Sequence, residues 1–492
     1  MTEPKAAAAM NPTKMTTAEI ERYLWGAAAI LRNHVRSADY QGFVYPLVFF
    51  KFLSDRADEA RAEALTESGG DEAYAVMPEH YEWTVPEGCN WSDLRTVATN
   101  IGARIVFIFG ALEKANPKLS GVFGSIAPWT NKDKVSDETL AQLVEQLSSV
   151  RLDSRTITED QLGTGYEYLI KEFASDGGHS AQEFYTNRTV VHLMTELLNI
   201  TPGESVYDPT CGTAGMLISA ASHLRSKGQD PARLRLFGQE IKPEAAAIAR
   251  TNLYLHGIRE FEIAVGDTLL SPRFLDDDGL RTFDVVLANP PYSMDLDRDF
   301  WSQDRWGRNT YGTPPAGNAD YAFFEHILSS LDPKTGRSAT LWPHGILFRT
   351  PDIRAKILDA DLIEAVIGLG PNLFYNSAME SCVVVCRMNK PVERRGKVLL
   401  IDASGDYLRE GNQNFLSPEH IARALTAYRA FRDESSYAKI ALRSEIAANG
   451  ESLSIPLYIT RTRTSSGTLL EAYEKWATAC QALESIVQGA PK

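Results

Sequence analysis

From Ser205 onward the chain repeats one device: a short apolar run, a polar or glycine-bearing turn, and a helix-like stretch. The apolar runs are SVYDP, LRLFGQEI, FEIAVGDTL, FDVVLANPPY, RSATLWPHGILF and LIEAVIGL. Their alternation with helical segments restricts this region to an α/β layer structure built on a doubly wound parallel sheet. In such sheets ligands bind outside the carboxyl ends of the strands. The residues that end these runs are therefore the first candidates for chemistry.

One end stands apart. In FDVVLANPPY, Phe283, Val285, Val286 and Leu287 form a run suited to burial on both faces, and Asn289 arrives at its carboxyl end. Pro290 and Pro291 fix φ and remove two backbone donors, leaving carbonyls that accept. The Asn289 side-chain oxygen and the Pro290 carbonyl, held side by side, suit an NH2 group with its two protons. Tyr292 adds a flat face on which a planar amino-bearing group stacks. That geometry favours alkylation of an exocyclic amine, because hydrogen bonds from both protons draw the nitrogen lone pair out of conjugation without a strong base. Asn-Pro and Pro-Pro are also ordinary loop punctuation, so the reading depends on a cofactor half upstream.

Such a half is present. In DPTCGTAGMLISAASHL, Gly212 and Gly215 flank the start of a helix and let a ligand approach the backbone. A plain strand-to-helix turn would look the same. The second run ends in Gln239-Glu240, where an acid usually holds ribose hydroxyls, and the third in Gly266-Asp267-Thr268. With Asp208 this makes three acids on one sheet edge, no phosphate-binding lysine and no GxGxxG. The set suits a nucleoside-like, non-phosphorylated, cationic cofactor, a description that S-adenosylmethionine fits.

At 492 residues the chain exceeds the usual single-domain size. Its net charge of -14 argues against gripping nucleic acid by overall charge. Cys89, Cys211, Cys382, Cys386 and Cys480 form no CxxC pair, so neither a disulfide framework nor a metal site is expected. Cys382 and Cys386, in SCVVVC, fall on one face of a strand as buried thiols. The first residues lack a signal-peptide core and no apolar run reaches membrane-spanning length, so a cytoplasmic protein without a membrane partner is expected. Thr16 and Glu19 have the spacing of a capping box ahead of Ile20, Leu24, Ala27 and Leu31. The expected organisation is a helical N-terminal domain over 1–170, a catalytic domain over 171–460 and a C-terminal docking helix over 461–492. In that helix Leu469, Tyr473, Trp476, Cys480, Leu483 and Val487 make a heptad seam that must pack on something.

Taken in order, DPTCGTAGML, GQE, VGDTL, LANPPY, GNADYAFFEHIL and LWPHGILFR, with EFYTNR upstream, resemble a known family. It is that of S-adenosylmethionine-dependent amino-methyltransferases, and within it the modification subunits of type I restriction-modification systems. LWGAAAILR, YPLVFFKFLSDR, NQNFLSPEHI and LSIPLYI extend the resemblance over nearly the whole chain. The resemblance implies a Rossmann-like catalytic domain that methylates N6 of an adenine flipped out of double-stranded DNA. Glu183, Phe184, Tyr185, Thr186, Asn187 and Arg188 would pack over the methionine end of the cofactor. Asp208, Gly212, Thr213, Ala214 and Gly215 would line that side, Glu240 would bind ribose, and Asp267 would meet the adenine amine. Asn289, Pro290 and Tyr292 would hold the target base. Asn187 stands where the family usually has proline, which implies a less rigid segment. Implied partners are DNA, a specificity subunit, a second copy of this chain and, in complexes that cut, a restriction subunit. The rivals are a protein-glutamine methyltransferase, since a side-chain amide also offers NH2, and an inactive assembly scaffold.

Three features stay open. Arg298, Arg305 and Arg308 interleave with Phe300, Trp301, Trp306 and Tyr311, as in a loop that contacts nucleic acid or in an ordinary surface loop. His344 is read as structural. Phe374 or Tyr375 could supply a second stacking face for the base, or pack in the core.

Overall fold

The computed structural model describes residues 14–32, 35, 39–124, 127–176, 186–277, 279–373, 380–411 and 413–460. Glu183, Phe184, Tyr185, Phe374, Tyr375 and the heptad seam over 461–492 lie outside them.

The N-terminal part is helical. Thr16 and Glu19 form the expected reciprocal capping box on the helix Thr17–Leu31, which buries Ile20, Leu24, Ala27 and Leu31. The apolar stretch from Phe43 opens a long helix, Tyr40–Glu67, whose first half is buried on nearly all sides. Lys51 is buried there and is tolerated because it pairs with Asp55, which also accepts from the Leu152 amide at 2.6 Å. The helices Ile101–Ala115, Asp137–Ser148 and Glu159–Asp176 complete the bundle. Its apolar core extends to Tyr254 and Leu255 of the helix Pro243–Leu255. The bundle therefore shares a core with the α/β part.

The α/β part supplies thirteen strands among the described residues: β1 (Ser205–Asp208), β2 (Arg235–Glu240), β3 (Phe261–Val265), β4 (Leu275–Asp276), β5 (Gly279–Leu280), β6 (Val285–Ala288), β7 (Arg337–Pro343), β8 (Ile363–Leu369), β9 (Ser381–Arg387), β10 (Lys397–Ala403), β11 (Leu408–Glu410), β12 (Gln413–Phe415) and β13 (Ala438–Leu442). Nine of them form one sheet in the order β13-β10-β8-β9-β7-β6-β1-β2-β3. All six apolar runs read from the sequence are strands of this sheet. β3, β2, β1, β6 and β7 run parallel, so Asp208, Glu240 and Asn289 leave the sheet on one edge, and Asp267 follows β3 there. Apolar clusters cover both faces.

The sheet departs from the expected all-parallel arrangement at two strands. β9 lies antiparallel between β7 and β8, and β13 pairs antiparallel with β10. An antiparallel neighbour needs no crossover helix. Cys382 and Cys386 sit on β9 fully buried, as expected. Among the described residues no helix is long and apolar enough to cross a membrane.

Candidate active site

β6 is wholly buried and delivers Asn289 to the sheet edge half-exposed. Asn289 Nδ2 donates to Thr186 Oγ1 at 3.0 Å. Its Oδ1, expected to await an amine, accepts instead from the Tyr292 hydroxyl. A largely buried hydroxyl needs an acceptor, and this one is within reach. The next residue, Ser293, has φ of 54°, and its amide donates to Asp320 Oδ1 at 2.9 Å. Asp320 is buried at the start of the helix Asp320–Ser329 and so clamps the turn from below.

The same cleft has a second wall. Thr186, Arg188, Asp208, Gly212, Thr213, Gly215 and Asn289 line one small cleft, which brings the amine turn and the glycine turn together. Ala214 does not line it. Ala214 is buried with φ of 66°, and its left-handed backbone turns the chain into the helix Gly215–Ser226. Gly215 leaves room for the Arg188 guanidinium, since a Cβ there would fall 1.7 Å from Arg188 Nη1 and displace it. Arg188 is held by Glu167, with contacts of 2.5 and 3.1 Å. Thr210, which the sequence did not mark, also lines the cleft, and its buried hydroxyl has no hydrogen-bond partner among the described residues.

The acids differ in setting. Burial pushes the Asp208 carboxyl up to about 8; the Thr210 amide, donating at 3.0 Å, opposes this, and the Glu240 charge adds to it. Glu240 is raised mainly by burial, against amide hydrogen bonds from Lys242 and Gly212 at 2.9 and 3.0 Å. Each of its oxygens keeps room for a further donor. Asp267 Oδ1 accepts from the Leu269 and Leu270 amides at 2.8 and 2.9 Å. Ile241 and Leu270, beside Glu240 and Asp267, stay 53% and 50% exposed, two apolar side chains that could take a flat purine. Sequence reasoning missed both because exposure is not written in sequence. A buried Asp208 carboxyl, a Thr210 hydroxyl with no partner among the described residues and a glycine cradle suit a nucleoside cofactor, whose positive charge would draw Asp208 toward its carboxylate form.

Asn187, standing where the family usually has proline, is itself held by side-chain hydrogen bonds. Its φ of -54° is one that proline would adopt. Its Oδ1 accepts from the amide and hydroxyl of Thr189 at 3.0 and 2.8 Å, capping the helix Arg188–Leu198. Its Nδ2 donates to the Asn414 carbonyl at 2.9 Å. Side-chain bonds replace the constraint of the ring.

The aromatic loop is also resolved. Trp301 and Arg308 are fully buried and Tyr311 is partly buried, so these three do not form a nucleic-acid surface. Glu325 holds the loop from the helix below: Oε1 accepts from the Tyr311 and Gly312 amides at 2.8 and 3.0 Å, and Oε2 from Trp301 Nε1 at 3.2 Å. The segment GNADYAFFEHIL thus acts as a clamp through Asp320, Glu325 and His326. His344 Nε2 lies 2.9 Å from the Ser381 carbonyl, a structural contact.

Fold and site together define a methyltransferase that uses S-adenosylmethionine. Comparison with known proteins narrows this. Residues 157–466 match the model of the N-6 DNA methylase family, and residues 20–147 match the HsdM N-terminal domain. The MjaVIII methylase subunit of a type I restriction enzyme from Methanocaldococcus jannaschii is 30% identical, over 94% of this chain and 83% of its own. The MjaIX methylase subunit from the same organism is 29% identical, over 90% of this chain and 84% of its own. A solved type I restriction-modification methyltransferase subunit from Streptococcus thermophilus superposes with a TM-score of 0.79 at 28% identity, covering 91% of this chain and all of that one. The chain belongs to the N-6 DNA methylase family, as a methylase subunit of the type I restriction-modification kind. The match over the N-terminal helices disfavours the protein-glutamine methyltransferase reading.

Proposed function

We propose that the residues gathered in the cleft divide the work of methyl transfer to N6 of an adenine in double-stranded DNA. Asn289 Oδ1 and the Pro290 carbonyl accept the two amine protons and direct the nitrogen at the cofactor, and Tyr292 stacks on the base. S-adenosylmethionine, when bound, supplies the methyl group from its sulfonium. The side chains of Asp208, Thr213 and Arg188, the backbone of Gly212 and Gly215, and the segment Glu183–Asn187 hold its methionine end, with Ala214 setting the turn. Glu240 takes the ribose hydroxyls, and Asp267 the adenine amine. Because a base within a duplex cannot reach such a cleft, the adenine is extruded, and stacking and hydrogen bonds offset the cost. Orientation supplies most of the catalysis.

The observation that carries this reading is that Asn289 and the Asp208–Gly215 turn border a single cleft. We assign 1–170 to a helical domain, 171–460 to catalysis and 461–492 to docking a specificity subunit, in a complex with two copies of this chain, DNA and, where DNA is cut, a restriction subunit. Co-expression with the specificity partner tests it. Asn289→Ala is expected to abolish adenine methylation while S-adenosylmethionine affinity, read by calorimetry, stays near wild type. Near-normal turnover in that variant would sink the assignment.

A further inference from the structure

Arg308 lies in the loop between the amine turn and the helix Asp320–Ser329, yet its side chain reaches the cofactor side of the sheet edge. Nη1 donates to the Thr268 carbonyl at 2.9 Å and Nη2 to the Leu269 carbonyl at 2.5 Å. Nε and Nη2 also reach the Asp304 carboxylate, at 3.1 and 2.6 Å, in an ion pair whose two side chains are entirely buried. The guanidinium lies over the rings of Trp301 and Trp306, 4.6 and 4.8 Å from their centroids.

The contacts continue beneath the site. Arg308 Nη1 is 3.2 Å from His326 Nδ1, and His326 Nε2 is 3.2 Å from the Tyr207 hydroxyl. Burial first, then the neighbouring Arg308 charge, keep His326 neutral. Its Nδ1 therefore accepts from Arg308 and its Nε2 donates to Tyr207. Tyr207 immediately precedes Asp208 on β1. Thr268 and Leu269 immediately follow Asp267, and the Leu269 amide donates to Asp267 Oδ1. Thr268 Oγ1 donates in turn to the Pro209 carbonyl at 2.5 Å, joining the ends of β1 and β3.

One cation thus binds the target-side loop directly to the turn that carries Asp267 and, through His326 and Tyr207, to the strand that carries Asp208. An ion pair in this position gains little stability over apolar side chains of the same volume, because desolvation offsets the attraction. What it provides is geometry: the planar fork grips two adjacent carbonyls and a carboxylate at once, which lysine cannot reproduce. Resting on the adenine-methyltransferase reading, we propose that Arg308 is a positioning residue that couples cofactor binding to capture of the target strand.

The claim is reciprocal, since any factor by which DNA changes cofactor affinity must equal the factor by which cofactor changes DNA affinity. The test uses the complex with its specificity partner, a duplex carrying the sequence that the complex methylates, and S-adenosylhomocysteine as calorimetric probe. In the wild-type complex the probe's affinity with and without the duplex is expected to differ by about five-fold or more. In Arg308→Lys the ratio is expected to fall below about two-fold, with the circular dichroism spectrum retained. A second measurement needs no variant: DNA alone should slow hydrogen exchange at the amides of residues 268–271 in the wild-type complex. An unchanged ratio in Arg308→Lys, a wild-type ratio of one, or no protection of that turn would overturn the proposal. A wild-type complex that methylates no adenine would instead remove the underlying reading.

Discussion

The Tyr292 hydroxyl donates to Asn289 Oδ1, the oxygen that an incoming amine needs. Thr186 takes the other end of the Asn289 amide, so both ends of that amide are bonded to neighbouring side chains. Capture of the base therefore exchanges one hydrogen bond for another and frees the ring to stack. Tyr292→Phe removes the competitor and keeps the face, so kcat/KM is expected to change by no more than about ten-fold, the scale of one neutral hydrogen bond. Tyr292→Ala removes the face as well and is expected to lose roughly 1 to 3 kcal/mol of stacking. Equal inactivity of the two variants in a steady-state methylation assay would make the hydroxyl, not the ring, the working group.

Asp208 is expected to make cofactor binding pH-dependent. Burial raises its carboxyl to about 8, so the empty protein holds it protonated at neutral pH. A cation bound beside it favours the carboxylate and expels the proton. Affinity for S-adenosylmethionine should accordingly rise with pH and level off above about 8, with Asp208→Asn flattening the profile. By the same linkage, the stability that this raised carboxyl gives the empty protein is full below the ordinary carboxylate range and is lost as pH rises through about 8. Calorimetric titrations across that range check the first point, and a flat wild-type profile would contradict it.

Glu325→Gln is expected to loosen the loop above the helix Asp320–Ser329. The carboxylate accepts from three N–H groups with its two oxygens, whereas the amide has one acceptor and turns an NH2 toward a donor. The mismatch should cost roughly 1 to 3 kcal/mol. A lower thermal midpoint in the variant checks this, and an unchanged midpoint would mean that the loop is held elsewhere.

Asn187→Ala removes a helix cap worth about 1 kcal/mol and leaves the Asn414 carbonyl without the donor it has at 2.9 Å. Denaturant unfolding should show a loss of at least the cap value. No loss would mean that Asn187 does not replace the rigidity of proline.

The legible parts of this protein are those in which a period ends on a chemical group. Six apolar runs became strands of one sheet, and Asp208, Glu240, Asp267 and Asn289 emerged on one edge because parallel strands share a direction. The antiparallel setting of β9 was not legible, since SCVVVCR reads as a buried strand of either polarity. At Asn187 the missing proline ring is visible in sequence and the bonds to Thr189 are local, but the bond to the Asn414 carbonyl spans the chain and was not legible. Arg308 read as a surface cation because charged residues are rarely buried unless paired. Its partner four residues earlier, Asp304, was the only local hint. Glu325 and His326, set inside the apolar AFFEHIL, carried a clearer signal: polar groups on a buried helix must be gripping something.

The most direct measurement of the central claim is transfer of a labelled methyl group from S-adenosylmethionine by the complex with its specificity partner. Two duplexes are compared, identical except that purine replaces the target adenine and so lacks the N6 amine. Label is expected on the adenine duplex, none on the purine duplex, and none on either with Asn289→Ala. Equal labelling of the two duplexes, or label recovered on protein rather than DNA, would contradict the account.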